Sequence, residues 1–442
     1  MTHRMLRASF AAVLVALAAT LVVGAGSAGA AKATAKADNP RFTTEGGVAP
    51  QFLANARTIP HFTFQYTDPS NGVTYPITIV GSDPRSGNVS TTVKTVIVPL
   101  KLSFVAAGQD TSAIDALYYP GFHATPLTQT FDGTRRVADV LNSPIFKSFS
   151  YPSDMGGDAG QYGDAFMRAQ FAKIGTGYHV KLDNVKTFPT QAINVPASQG
   201  VAYNRAAAES AGKEATAGIV EDKWFSARLQ NLMNALHVDA TTVPIFLTDN
   251  VMLYDGTYDN CCTIGYHGAG MPIGHGAGSA SGKGNNPVQT FIFSAWSKPG
   301  TYSGFYSDYS GPHSYPTPTR GIADIHALSH EVAEWLDDPY VNNAVKPWLT
   351  PTAPQYGCTP VLETGDPVVG DWFPLAGNTT ADGYDYYGEY HPEEEVFAQW
   401  FGHGGIEAAG FHSWDGRLTF MGPRTTSLGG PWADFANYSQ GC

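Results

Sequence analysis

Residues 326–339 read His326-Ala-Leu-Ser-His330-Glu331-Val-Ala-Glu334-Trp-Leu-Asp337-Asp338-Pro339, and this stretch predicts one helix stopped by a proline. At 100° per residue, one face gathers the apolar side chains of Ile325, Leu328, Val332, Trp335 and Leu336. The opposite face gathers His326, His330, Glu334 and Asp337. The pattern predicts a helix that packs on a core with its apolar face and carries a polar site on the other.

The polar face has the spacing of a metal site. His330 and Glu334 lie four residues apart, so their side chains project into the same space one turn apart. His330-Glu331-x-x-Glu334 is one residue away from His-Glu-x-x-His, the helical zinc signature of metallopeptidases. Five acidic residues and no Lys or Arg lie between Arg320 and Lys346, and this uncompensated charge favours a cation. The alternative is a structural or solvated helix.

A zinc site needs three protein ligands and an open position for water. His326 cannot easily join His330 and Glu334, because its Cα lies about 12 Å from that of Glu334 along the helix. We expect zinc on His330, Glu334 and Glu363, and the weaker ligand candidates are His326, Asp366 and His267. Glu331, about 100° around the helix from His330, is the predicted catalytic base for a zinc-bound water. A calcium site on Asp337, Asp338, Asn342 and Asn343 is an open alternative.

The N-terminus is typical of a secretory signal peptide over residues 1–30. Charged residues at the start precede an apolar run over 10–23 and a small-residue site, Ala28-Gly-Ala30. Residues 31–50 predict a flexible lead-in. We therefore expect a secreted, extracellular protein that leaves the membrane once the signal is cleaved.

The net charge of −12 argues against nucleic acid and anionic membranes as partners, because both would repel the chain. Hydrophobic residues make up 43% of the chain and charged residues only 14%, which favours a large folded core over disorder. A peptide or protein substrate remains the suspected partner, and the sequence leaves the oligomeric state open.

Four cysteines in an exported chain predict disulfides, with three possible pairings. Cys261 and Cys262 are adjacent, and their Cα separation of about 3.8 Å is below the usual disulfide range. Each is therefore expected to bond a distant partner. Cys262–Cys358 and Cys261–Cys442 are the pairs we favour.

The rest of the sequence indicates an α+β fold with a mixed sheet, a zincin-like active-site helix and long Gly/Pro/Tyr-rich loops. Strand patterns appear at 62–66, 75–80, 92–102, 242–248 and 289–294, and helical patterns at 135–141, 161–174 and 217–236. Loops are expected over 255–288 and 298–320. Residues 51–442 predict a single large domain, with 51–200 and 201–442 as possible lobes.

Several motifs together resemble a known group of proteins. They are Val243-Pro-Ile-Phe, Cys262-Thr-Ile-Gly-Tyr-His267, Ser329-His-Glu-Val-Ala-Glu334, Asp338-Pro339 and Glu363-Thr-Gly-Asp366. In this order, over about 243–366, they resemble a family of exported bacterial and fungal zincin-like proteins, which is remotely similar to the plant phosphate-induced, Exordium-like secreted proteins. The resemblance implies an extracellular protein with a metallopeptidase-like site, in which Glu334 stands where zincins have a second histidine.

These observations favour a secreted, zinc-dependent hydrolase acting on peptides. The alternative is a non-catalytic extracellular or wall-associated protein whose acidic helix binds calcium or is structural. A third interpretation is a carbohydrate-active protein, since acids and aromatic residues alternate over 382–401.

We predict that the exported protein is cleaved before Ala31, because Ala28-Gly-Ala30 satisfies the small-residue rule for signal cleavage. N-terminal sequencing of secreted protein checks this. A mature start far from residue 31, or retention in the membrane, would contradict it.

Overall fold

The computed structural model describes Val48, Leu53, residues 55–108, 111–115, 123–152, 158–204, 216–258, 261–271, 287–298, 323–349, 358–368, 372–376, 389–420 and Cys442. The predicted signal peptide, nearly all of the predicted lead-in and nearly all of the loop predicted over 298–320 lie outside these residues. All described residues belong to one compact unit, Ala35–Cys442. No helix in this part of the chain is long and apolar enough to cross a membrane.

Mixed sheets with few helices confirm the α+β class. The strands are β1 (His61–Thr67), β2 (Thr74–Val80), β3 (Ser90–Phe104), β4 (Thr125–Leu127), β5 (Gln129–Asp132), β6 (Phe149–Ser150), β7 (Ala159–Gly160), β8 (His179–Thr187), β9 (Gln191–Asn194), β10 (Gly200–Asn204), β11 (Thr216–Glu221), β12 (Thr242–Asp249), β13 (Val251–Tyr254), β14 (Cys261–Thr263), β15 (Gly265–Gly270), β16 (Gln289–Trp296), β17 (Ala344–Leu349), β18 (Cys358–Val361), β19 (Leu375–Ala376) and β20 (Glu389–Tyr390). The helices are α1 (Ser112–Asp115), α2 (Val137–Asn142), α3 (Tyr162–Gln170), α4 (Asp222–Leu236), α5 (His326–Asp337), α6 (Ala398–Gly402) and α7 (Gly405–Ala408).

A seven-stranded mixed sheet lies at the centre of the fold. Its main order is β15-β16-β12-β3-β5, and β8 and β9 also pair with β3. The pairs β16/β12 and β12/β3 are parallel, whereas β15 runs antiparallel to β16 at the edge of this order. A second sheet has the order β14-β13-β11-β10-β4.

The central sheet is covered on both faces, because its strands are apolar at successive positions. On one face, Ile245 and Ile292 share a core with Leu328, Val332 and Trp335 of α5. On the other face, a second core is formed with α4 by Phe246, Phe293, Phe225, Leu229 and Met233. The predicted apolar stripe of α5 is thus its sheet-facing side.

Two hydrogen-bonded contacts fix α5 in place. The indole of Trp335 donates to Thr290 Oγ1 on β16 at 3.1 Å. Beyond the helix end, Asn343 accepts from the Thr78 backbone N–H on β2 and donates to the Thr78 carbonyl, both at 2.8 Å. Both contacts lie at the C-terminal end of α5, and together with the packing of its apolar face on the sheet they set the direction of its polar face.

Part of the loop predicted over 255–288 is β-structure. Cys261–Thr263 form β14 and Gly265–Gly270 form β15, which adds an antiparallel strand to β16. The loop was predicted there because the stretch is rich in glycine. Gly265 is required by close packing, since a Cβ there would lie 2.6 Å from Glu331 Cγ. The helix predicted over 217–236 begins later, at Asp222, because Thr216–Glu221 pairs as β11.

The predicted disulfide pairing is wrong. Cys358 is bonded to Cys442, 84 residues later in the chain, so neither can bond Cys262 or Cys261. Cys262 is also disulfide-bonded, and the side chain of Cys261 lies outside the described part of the chain. Sequence spacing carried no information about which ends of the chain meet.

We predict that Cys442→Ser lowers the free energy of unfolding by roughly 2–4 kcal/mol, because the bond closes a long loop and restricts the unfolded chain. Urea unfolding measures the change.

Wild-type protein in denaturant without reductant should contain no free thiol. A non-reducing digest that links Cys262 to Cys358 would contradict the assignment.

Candidate metal centre

The polar face of α5 is buried, like its apolar face. His326, Glu331, Glu334 and Asp337 are each at most 4% exposed, and the His330 side chain is 13% exposed. The alternative of a solvated helix face is therefore wrong. Buried charged groups are costly unless they are paired, hydrogen-bonded or bound to a metal, so each of them needs a partner inside the protein.

His330 is oriented by a carboxylate that comes from a distant part of the chain. Its Nδ1 lies 2.8 Å from Glu393 Oε2, a true hydrogen-bond distance. Burial lowers the pKa of His330, but Glu334 and Glu393 outweigh burial and raise that pKa well above its ordinary value. Burial raises the pKa of Glu393, but His326 and His330 lower it to about 2. Glu393 is therefore ionised and holds the Nδ1 proton, as in carboxylate–histidine–metal triads.

The other nitrogen of His330 points toward two further carboxylates. Nε2 lies 3.2 Å from Glu334 Oε1 and 3.8 Å from Asp366 Oδ1, and these three ligand atoms converge. Ligands 2.0–2.1 Å from a tetrahedral zinc lie about 3.3 Å from each other. The distances from Nε2 to the two carboxylate oxygens are therefore at least as consistent with ligands around one ion as with direct hydrogen bonds. A cation that binds there displaces the Nε2 proton.

A second histidine reaches the same helix from the edge strand β15. His267 is paired with Ile292, and its ring points to the α5 side of the sheet. Its Nε2 lies 3.2 Å from the Asp338 carbonyl oxygen, which can only accept, so Nε2 carries the proton. Nδ1 then faces Glu331 Oε2 at 3.3 Å and Glu334 Oε2 at 3.7 Å. Burial lowers the pKa of His267, which keeps the ring neutral.

Two glycines make this approach possible. Gly265 leaves room for Glu331. At Gly365, a Cβ would collide with His330 Nδ1, and the Gly365 N–H donates to Glu334 Oε1 at 3.1 Å. The segment Glu363-Thr-Gly-Asp366 thus packs on the histidine and the glutamate of the helix, as the sequence predicted for one ligand-bearing turn.

Glu363 lies near Glu334 and Asp366 in the same acidic cluster. Its pKa is raised well above the ordinary value by burial and then by Glu334 and Asp366. Three groups of converging ligand atoms occur among the described residues: His267, Glu331 and Glu334; His330, Glu334 and Asp366; His330, Glu393 and Glu395. Asp366 and His267, the weaker predictions, join Glu334 in these groups, whereas Glu363 stands beside them.

His326 lies deeper in the protein than the ligand groups that contain Glu334. Its Nε2 is 3.1 Å from Glu393 Oε2, the oxygen that also binds His330. It therefore shares the supporting carboxylate and is in none of the three groups, in line with the helical spacing argument.

The four residues considered for calcium make hydrogen bonds that hold the end of α5 in place. Asp338 accepts the backbone N–H groups of Asn342 and Asn343, and Asn343 bridges α5 to β2. Burial raises the pKa of Asp338 to about 7 and that of Asp337 to about 8. Asn342 donates to the Val48 carbonyl. None of the converging ligand groups in the described residues includes these side chains.

Sequence analysis did not connect the acidic run Glu393–Glu395 with the helix, because it considered this run only among the acids and aromatic residues of 382–401. All three residues are 0% exposed. The Glu393 N–H donates to Ser329 Oγ at 2.8 Å, and Tyr162 donates to the Glu393 carbonyl at 2.8 Å. The signal available was three consecutive acids among aromatic residues, which is unusual for a solvated surface. Asp382 and Asp385 of the same segment lie outside the described residues.

No protein-family model matches the chain, and neither a curated protein nor a solved structure matches it. The resemblance to exported zincin-like proteins therefore stays a prediction, and the site is interpreted from its own geometry.

We predict that Gly365→Ala weakens zinc binding at least about tenfold, because the added methyl group displaces His330 from Glu334 and Asp366. Zinc titration of purified protein measures the loss, and circular dichroism checks the fold. Gly177→Ala is the matched control, since its Cβ would meet only the Asn88 side chain, at 3.1 Å, on an exposed turn. Equal zinc affinity in Gly365→Ala and wild type would place the cation elsewhere.

Proposed function

We propose that the protein is an exported, zinc-dependent hydrolase that cleaves peptide bonds. One observation carries this proposal. The Nδ1–H group of His330 donates to Glu393, and its Nε2 points toward Glu334 and Asp366. This is the arrangement of a metal-binding histidine with its supporting carboxylate. Histidine nitrogen and carboxylate oxygen are both zinc ligands, and catalytic zinc sites use three protein ligands and keep a fourth position for water.

The ligand group reaches solvent on one side. The Asp366 side chain is 31% exposed, whereas Glu334 is almost fully buried. Zinc bound there would make a water molecule acidic and polarise the carbonyl group of a substrate. A substrate can approach past Asp366, and this is the side on which we place the peptide.

Glu331 is the proposed general base. Its Oε1 lies 4.0 Å from His330 Nε2, beside the ligand group of His330, Glu334 and Asp366. Its Oε2 faces His267 Nδ1 at 3.3 Å, on the other side of the carboxylate. Glu331 accepts a proton from the attacking water, the water oxygen bonds to the carbonyl carbon, and the C–N bond then breaks. The proton passes from Glu331 to the leaving nitrogen, so the base is regenerated.

We predict that Glu331→Gln lowers peptide hydrolysis by at least roughly a hundredfold, the lower end for a lost general base, and retains at least one zinc per chain. The measurement is turnover on a broad peptide library together with elemental analysis. Asp415→Asn is the control, because that carboxylate is 79% exposed and lies outside the site. Equal activity of Glu331→Gln and wild type would exclude Glu331 as the base.

We predict that His330→Ala loses the activity together with the zinc bound at His330, Glu334 and Asp366, because the imidazole is that position's nitrogen ligand. The exposed His123, with 85% of its side chain accessible, provides the matched control His123→Ala. Full zinc in His330→Ala would end the proposal at this helix. Folded wild-type protein that binds zinc and hydrolyses no peptide would favour the non-catalytic alternative.

A further inference from the structure

We infer that the site takes a second divalent cation, held by His267, Glu331 and Glu334, with Glu334 bridging the two cation positions. The inference rests on the proposed function for the first position, at His330, Glu334 and Asp366. It makes His267 a metal ligand, a role that the proposed hydrolysis does not require.

The two ligand groups share only Glu334. Its Oε1 lies 3.2 Å from His330 Nε2, and its Oε2 lies 3.7 Å from His267 Nδ1. One carboxylate thus offers a separate oxygen to each histidine. Two-metal hydrolytic sites hold their ions about 3.5–4 Å apart, a distance that one bridging carboxylate spans.

The tautomer of His267 favours a cation. Its Nε2–H is committed to the Asp338 carbonyl, which leaves the Nδ1 lone pair directed at Glu331 and Glu334. Lone pairs on three electron-rich groups that face each other are repulsive unless something positive lies between them. All three side chains are at most 6% exposed, so bulk water screens that repulsion poorly.

A shared proton would satisfy this group less well than a cation. A proton can bridge Nδ1 to one carboxylate oxygen, yet Nδ1 faces one oxygen of Glu331 at 3.3 Å and one of Glu334 at 3.7 Å. Both distances exceed the 2.7–3.2 Å of ordinary N–H···O bonds. The first distance matches the spacing of about 3.3 Å between ligands around a tetrahedral ion, and the second is slightly longer.

The donor set indicates the class of cation. One imidazole nitrogen and two carboxylate oxygens suit zinc and manganese, whereas calcium prefers oxygen ligands alone. Glu331 Oε2 would bind the second cation, and Oε1 stays on the side of His330, where the proposed proton transfer takes place.

The test is metal stoichiometry in the full mature protein, stripped with a chelator and reloaded with zinc alone. Native mass spectrometry and elemental analysis should give two zinc ions per chain in wild type. His267→Ala and Asp366→Ala should each give one, and Glu334→Ala should lower both. Loading with Mn²⁺ should give a spin-coupled pair by electron paramagnetic resonance in wild type and an uncoupled ion in His267→Ala. His123→Ala is the control and should match wild type.

The outcomes separate this inference from the proposed function. One zinc per chain in wild type, unchanged in His267→Ala, overturns the second position even if peptide hydrolysis still requires His330. Two zinc ions with the expected losses, but no hydrolysis of any peptide, uphold the second position and overturn the proposed function. If His267→Ala does not fold, Glu331→Ala takes its place, and retention of both zinc ions in that variant overturns the inference.

Discussion

The carboxylate of Glu393 and the imidazole of His330 meet at 2.8 Å, beside a helix that is buried on nearly every side. A buried charge without a partner would cost several kcal/mol, so the pair is needed for the helix to be buried at all. The backbone around Glu393 is fixed in turn by Ser329 on the same helix and by Tyr162 on α3. The orientation of His330, and with it the geometry toward Glu334, follows from this one hydrogen bond.

The central sheet brings the remaining groups to the helix. The edge strand β15 presents His267 on the face that α5 covers, and the turn after β18 brings Asp366 to His330. Both approaches depend on glycine, because side chains at Gly265 and Gly365 would collide with Glu331 and His330. The candidate metal centre is therefore assembled from four segments that are far apart in sequence, on a scaffold with two cores on opposite faces of the sheet.

A glutamate at position 334 has a physical consequence for the site. A histidine there would offer one nitrogen to one ion, whereas a carboxylate offers two oxygens, and in this protein they face two different histidines. The departure from His-Glu-x-x-His thus accompanies a second histidine that arrives from the sheet. In the site that we propose, the position of Glu334 between the two rings takes the place of the second helical histidine of a zincin.

The sequence alone determined the local features of the protein. Periodicity predicted α5, its core-facing apolar stripe, its stop before Pro339 and the pairing in space of His330 and Glu334, since helical spacing fixes which side chains are neighbours. It also predicted the α+β class and the strands at the core, because apolar runs must be buried. Tertiary structure decided the rest. It paired Cys358 with Cys442, made a strand of Gly265–Gly270, chose Asp366 and His267 over Glu363 as groups that converge with Glu334, and turned Glu393 inward. These are contacts between residues up to 84 positions apart, and no local propensity carries the information that brings such residues together.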